Sequence, residues 1–169
     1  MEKVGIGVDV GGTSVKLGLF QPDGTILKKW EFPTDTSEKG THVLPDIAES
    51  IRKTMEETFQ GKAELIGVGI GVPGPVQPTG YVEVGVNLHW REMYPARELS
   101  ELLGGVRVEV GNDANVAALG EAWRGGGEGA ANAVLLTLGT GVGGGVIMNG
   151  EIVTGKHGLA GEVDRKSVV

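Results

Sequence analysis

The sequence predicts an α/β protein built on a mixed five-stranded sheet with flanking helices, and three observations predict it. Apolar runs at 3–10, 14–20 and 25–32 follow one another with connections too short for a crossover, which makes them an antiparallel meander. Helical and strand patterns then alternate, as they do where strands join a sheet in parallel through helices. Glycine is 31 of 169 residues, far above the usual ~7%. It clusters beside the β-rich runs, which points to functional turns rather than low-complexity sequence.

The elements follow in order. The first two strands are joined by the turn at Gly11-Gly12, whose glycines tolerate the positive φ of tight hairpins. "QPDG" at 21–24 is a turn signal that ends the second strand. Apolar residues at Val43, Leu44, Ile47, Ala48, Ile51 and Met55 keep the helical period and predict a helix over 41–59, with Pro45 in its first turn. "ELIGVGIGV" at 64–72 is a nearly continuous apolar run, the pattern of a strand buried on both faces. After the loop "PGPVQPTG" come a helix near 94–103, a strand at 106–110 and an alanine-rich helix from 113 to 124. Strands at 132–138 and 144–149 follow the glycine-rich stretch at 125–129, which reads as a domain junction or as a plain linker.

Bulk properties exclude several classes. A formal charge of -7 argues against nucleic-acid binding, which needs a basic face. No run approaches the ~18 apolar residues of a membrane span, and the first ten residues lack a signal peptide's apolar segment, so a cytoplasmic setting is expected. Without cysteine there is no disulfide framework or thiolate metal site, and His42, His89 and His157 are scattered.

An acidic residue, Asp9, interrupts the first apolar run just before Gly11, Gly12 and Thr13. The same design returns later, where a strand enters Gly139, Thr140 and Gly141 and continues through Gly143, Gly144 and Gly145. Backbone amides in such turns form anion-binding concavities, and Thr13 and Thr140 add hydroxyl donors. Two dinucleotide-type patterns, "GTGVGG" and "GIGVPG", lack the helix that must follow. "GEIVTGKH" misses the P-loop because His157 stands where a hydroxyl should bind magnesium.

Six segments together, "VDVGGTSVKLGLF", "GVGIGVPGPV", "NLHW", "GNDANVAALGEAWRGGG", "TLGTGVGGGVIMNGEIVTG" and "GLAGE", occur in the order and spacing of the ROK family of sugar kinases. The sequence resembles that family, and its bacterial glucokinases most, from residue 4 to about 163. The element order likewise resembles the actin-like ATPase (ribonuclease H-like) fold. That implies an N-terminal domain over 1–118 and an incomplete start of a second over 119–169.

The resemblance implies ATP-dependent phosphorylation of a hexose, with glucose favoured. It places ATP phosphates between Gly11, Gly12 and Thr13 on one side and Gly139, Thr140, Gly141 and Gly143 on the other, with Asp9 orienting magnesium through water. Asp113 matches the catalytic base, while a bare reading of "GNDAN" makes Asn112 or Asp113 the cap of the following helix. Asn112 and Glu162 match sugar-binding positions, and Gly74 lies on the loop beside the sugar. Trp90 reads as packed rather than as a wall of the site.

The match breaks after Glu162 and Val163, where Asp164 and Arg165 replace the family's glycine and histidine. With that histidine and all cysteines missing, no zinc is expected. The second half of the cleft is also missing, which predicts little or no kinase activity for this chain alone and open strand edges that pair with a second copy as a homodimer. The family also includes sugar-sensing repressors, but only eight residues precede Asp9, too few for their DNA-binding segment. A non-catalytic sugar-binding fragment is the remaining reading.

Overall fold

The computed structural model describes residues 1–138 and 142–161. Strands β1 (Glu2–Val10), β2 (Ser14–Phe20) and β3 (Ile26–Pro33) form the expected meander. A single irregular turn, α1 (Ser37–Gly40), leads into helix α2 (Val43–Phe59) and strand β4 (Ala63–Val72). A short hairpin follows, β5 (Val82–Gly85) and β6 (Trp90–Met93), joined by a 3-10 turn over Val86–Leu88. Helix α3 (Pro95–Leu102), strand β7 (Val108–Asn112) and helix α4 (Asp113–Arg124) come next. Strands β8 (Ala133–Leu138), β9 (Val142–Met148) and β10 (Glu151–Ile152) complete the described residues.

The main sheet has the order β3-β2-β1-β4-β7, with β4 parallel to both β1 and β7. It is the mixed five-stranded sheet that the meander and the alternation predict. Strand periodicity sorts its two faces. Val4, Ile6, Val8 and Val10 of β1, Val15, Leu17 and Leu19 of β2 and Val68, Ile70 and Val72 of β4 are buried in one core with Val43, Leu44, Ile47, Ala48 and Ile51 of α2. The alternate positions on the opposite face are mostly glycine: Gly5, Gly7, Gly18, Gly67, Gly69, Gly71 and Gly111.

The hairpin β5–β6 has no counterpart in the sequence reading. Its strands are four residues each, too short to show alternation, and they lie in a stretch broken by Pro78 and Gly80. It is held from inside: Leu88 and Trp90 are buried, and Trp90 Nε1 donates to Gly40 O at 3.0 Å. Trp90 is therefore a packing residue.

Helix α4 joins the two sheets. Asn112 is its cap, accepting from the Asn115 amide at 3.1 Å. One side of the helix lies on the glycine face of the main sheet, where a Cβ on Gly111 would come within 2.9 Å of Val116 Cγ2. Its other side lies on the three-stranded sheet β10-β9-β8. There a Cβ on Gly145 would come within 2.5 Å of Ala118 Cβ and 3.0 Å of Ala114 O. The boundary drawn at residue 118 thus falls inside a continuous helix that touches both sheets. The glycines after the helix form a hydrogen-bonded turn, Gly125 and Gly127 amides donating to Glu121 O at 3.0 Å each.

Candidate active site

Parallel strands bring their carboxyl ends to one edge of a sheet, where open α/β folds place ligands. Here β1, β4 and β7 end at Val10, Val72 and Asn112, just past Asp9 and Gly71, and helix α4 starts beside them. A cleft of about 900 Å³ opens at this edge, closed on its far side by Thr137 of β8 and Gly143 and Gly144 of β9. Asp9, Gly74, Asn112, Asp113 and Gly143, all predicted from the sequence, line it together.

Asp9 lines the cleft while staying open to solvent. Partial burial in the cleft pushes its carboxyl above the ordinary value, the like charge of Asp113 pushes it further, and Lys16 across the β1–β2 pair pulls it back. Two carboxylates facing one cleft repel each other, and a divalent cation relieves that repulsion. One or two carboxylates plus substrate phosphates is the usual way magnesium is held. Among the described residues no cluster of three or more His, Cys, Asp or Glu forms a closed metal cage.

Asp113 occupies the first turn of α4, and its Oδ1 accepts from the Ala114 amide at 2.8 Å. The choice the sequence leaves open is settled here: Asn112 caps the helix. Asn112 also donates through Nδ2 to Gly74 O at 3.0 Å. This buried amide ties the start of α4 to the loop after β4, where Gly74 has φ +100, a conformation that suits glycine. Each end of the amide keeps one hydrogen-bonding capacity, one lone pair and one N–H.

The loop Gly11–Thr13 lies at the rim of this edge. The positive φ expected of its glycines is not found. Close approach is what demands them: a Cβ on Gly12 would stand 3.2 Å from both Asn87 Cβ and Asn87 O, and one on Gly11 would stand 2.9 Å from Ser14 O. The loop is pinned by Thr34, whose amide donates to Thr13 O at 2.9 Å and whose hydroxyl donates to Gly11 O at 2.7 Å.

Gly143 belongs to strand β9 rather than to a turn, and a Cβ there would cover the Thr137 hydroxyl at 2.5 Å. Gly139, Thr140, Gly141 and Glu162 lie outside the described residues. All three rejected nucleotide motifs stay rejected: strand β9, not a helix, continues from "GTGVGG", a loop follows "GIGVPG", and Glu151–Ile152 within "GEIVTGKH" pairs with β9.

Asn87 and Thr137 are cleft residues that the sequence reading gave no role. Asn87 sits inside the quoted "NLHW", so its motif was visible, but its approach to Gly12 depends on the hairpin that was not. Thr137 is a strand residue whose exposure to the cleft follows from the glycine opposite it.

The profile of the ROK family matches residues 5–164, nearly the whole chain. This chain belongs to the ROK family. Among curated proteins, the glucokinase of Halalkalibacterium halodurans is 43% identical over 97% of this chain and 50% of its own length. Among solved structures, a ROK family glucokinase from Streptomyces griseus, in complex with glucose and AMPPNP, has a TM-score of 0.80 at 33% identity and covers 98% of this chain and 51% of its own. A ROK family transcriptional regulator, homologous to the E. coli MLC protein, has a TM-score of 0.79 at 21% identity and shares the fold alone. The fold is the actin-like ATPase fold that the element order resembles. This chain spans about half the length of the curated relatives it matches.

Proposed function

We propose that the cleft phosphorylates a hexose at the expense of ATP, with glucose as the substrate. The observation that carries this reading is the meeting of Asp9 and Asp113 at the carboxyl edge of the sheet, with the Gly74 loop tied beside them by Asn112. Phosphoryl transfer needs an aligned nucleophile, charge neutralisation and a proton acceptor, and little else. Asp113 is the acceptor: its carboxylate takes the proton of the attacking sugar hydroxyl as that oxygen bonds to the γ-phosphorus and the bond to ADP breaks. Asn112 and Gly74 orient the sugar, with Glu162 as its further partner. Gly11–Thr13 and residues Gly139, Thr140 and Gly141, with Gly143, hold the phosphates. Asp9 is the residue to hold magnesium through its waters, and the ion supplies charge neutralisation on the phosphates.

Glucose is favoured because the glucokinase of H. halodurans and the glucose-bound glucokinase of S. griseus are both similar along nearly the whole of this chain. The test is ADP release by the purified chain with glucose, magnesium and ATP, beside calorimetric titration of glucose. ADP release by this chain alone should be low; Asp113→Asn should lower whatever release is measured by about 100-fold or more while glucose still binds. Undiminished release in the variant would overturn the assignment of Asp113, and preference for another hexose would overturn that of glucose.

A further inference from the structure

Asn115 leaves a buried oxygen unpaired. The residue is 6% exposed, and among the described residues its Oδ1 is the only buried side-chain oxygen or nitrogen with no hydrogen-bond partner. Folded proteins pair nearly all such atoms, because an unpaired buried acceptor has lost its water and gained nothing in return. Asn115 sits in the first turn of α4, where its backbone amide donates to Asn112 Oδ1 at 3.1 Å. The orphan oxygen lies on the side of the helix that meets Gly161. A Cβ on Gly161 would stand 3.1 Å from Asn115 Oδ1 and would collide with Gly144 O.

Gly161 shows the complementary lack. It is buried, and among the described residues its amide donates to no carbonyl. An unpaired acceptor and an unpaired donor thus lie side by side. The segment leading to this point is held elsewhere along its length. Gly158, at φ +73, packs so closely on the loop after β4 that a Cβ would meet Val76 O. The Ala160 amide donates to Thr154 O at 3.1 Å, and Leu159 lines the cleft. Only the end at Gly161 lacks a polar anchor, and the next residue in the sequence is Glu162.

From this juxtaposition we propose that Asn115 is a positioning residue of the sugar site. Its Oδ1 accepts a hydrogen bond from the Gly161 amide and so fixes to α4 the point from which Glu162 departs. One residue then anchors both sugar-binding side chains, Asn112 through its backbone amide and Glu162 through its carboxamide. Both are set against the helix turn that carries Asp113. An amide oxygen does this without adding a third carboxylate to Asp9 and Asp113, whose charges already oppose each other. Hydrogen bonds in free enzymes are often long and tighten when substrate binds, so sugar closes this one. The role rests on the proposed hexose-kinase function.

Hydrogen exchange at the Gly161 amide, followed by NMR in the free and the glucose-saturated chain, tests the bond without any substitution. Glucose should slow that exchange about tenfold or more. Asn115→Ala should abolish the slowing and weaken glucose binding about tenfold in calorimetric titration, with circular dichroism checking the fold. Glu162→Gln should weaken binding too, and the double variant should be little weaker than either single one, because both remove the same contact. A merely structural Asn115 would give losses that multiply. Multiplying losses, or a Gly161 amide that bound glucose leaves unprotected, would overturn the role of Asn115 while the sugar reading stands. A chain that binds no hexose would instead overturn the sugar reading, and the role with it.

Discussion

Asp9 holds a charge where the fold does not favour one. Because its carboxyl is pushed above the ordinary 3.8, the folded chain keeps the proton to higher pH than the unfolded chain does. Stability therefore falls as pH rises from the ordinary value through the raised one. Asp9→Asn should raise the melting temperature near pH 7 by about 1–3 °C, with the gain vanishing in acid below pH 3.8. Thermal scans across that range check it, and added magnesium should narrow the difference if the carboxylate holds the ion. Asn112 is the opposite case, a polar side chain the fold cannot spare. Asn112→Ala removes a helix cap and the tie to Gly74 O, and should cost about 1–3 kcal/mol in urea unfolding. Asn112→Asp keeps the cap but loses the donor, and should fall between the two.

Among elements, α4 and β9 depend on glycine for contact rather than for turning. Gly145→Ala would drive a methyl into Ala118 and the carbonyl of Ala114, and should destabilise by about 1–3 kcal/mol. Ala118→Gly in the same chain should restore part of that loss, and a double-mutant cycle in urea measures the coupling. These contacts explain what the sequence showed and what it hid. Apolar periodicity was enough to place β1 to β4 and α2, because long regular elements leave long patterns, and "GNDAN" marked the start of α4 by its capping residues. The β5–β6 hairpin was illegible because four-residue strands carry no period, and Asn87 went unassigned with it. The glycines of "GTGVGGG" looked alike in sequence. Only the register of β9 on α4 separates Gly143 and Gly145, which face the helix, from Gly144, which faces away.

At the scale of the molecule, burial is unequally shared. Central β1 and β4 each have two neighbouring strands and a buried core face, so their amides open only when the domain unfolds. Among the described residues β8 has one neighbouring strand and an outer face open to water, and it is held to the rest chiefly through α4 and β9. The three-stranded sheet should therefore open without the main sheet. Native-state hydrogen exchange should show the amides of β8 exchanging on the order of tenfold or more faster than those of β1 and β4. Equal protection of β8 and β1 in the isolated chain would mean that α4 welds both sheets into one cooperative unit. The exposed apolar face would then persist without lowering local stability.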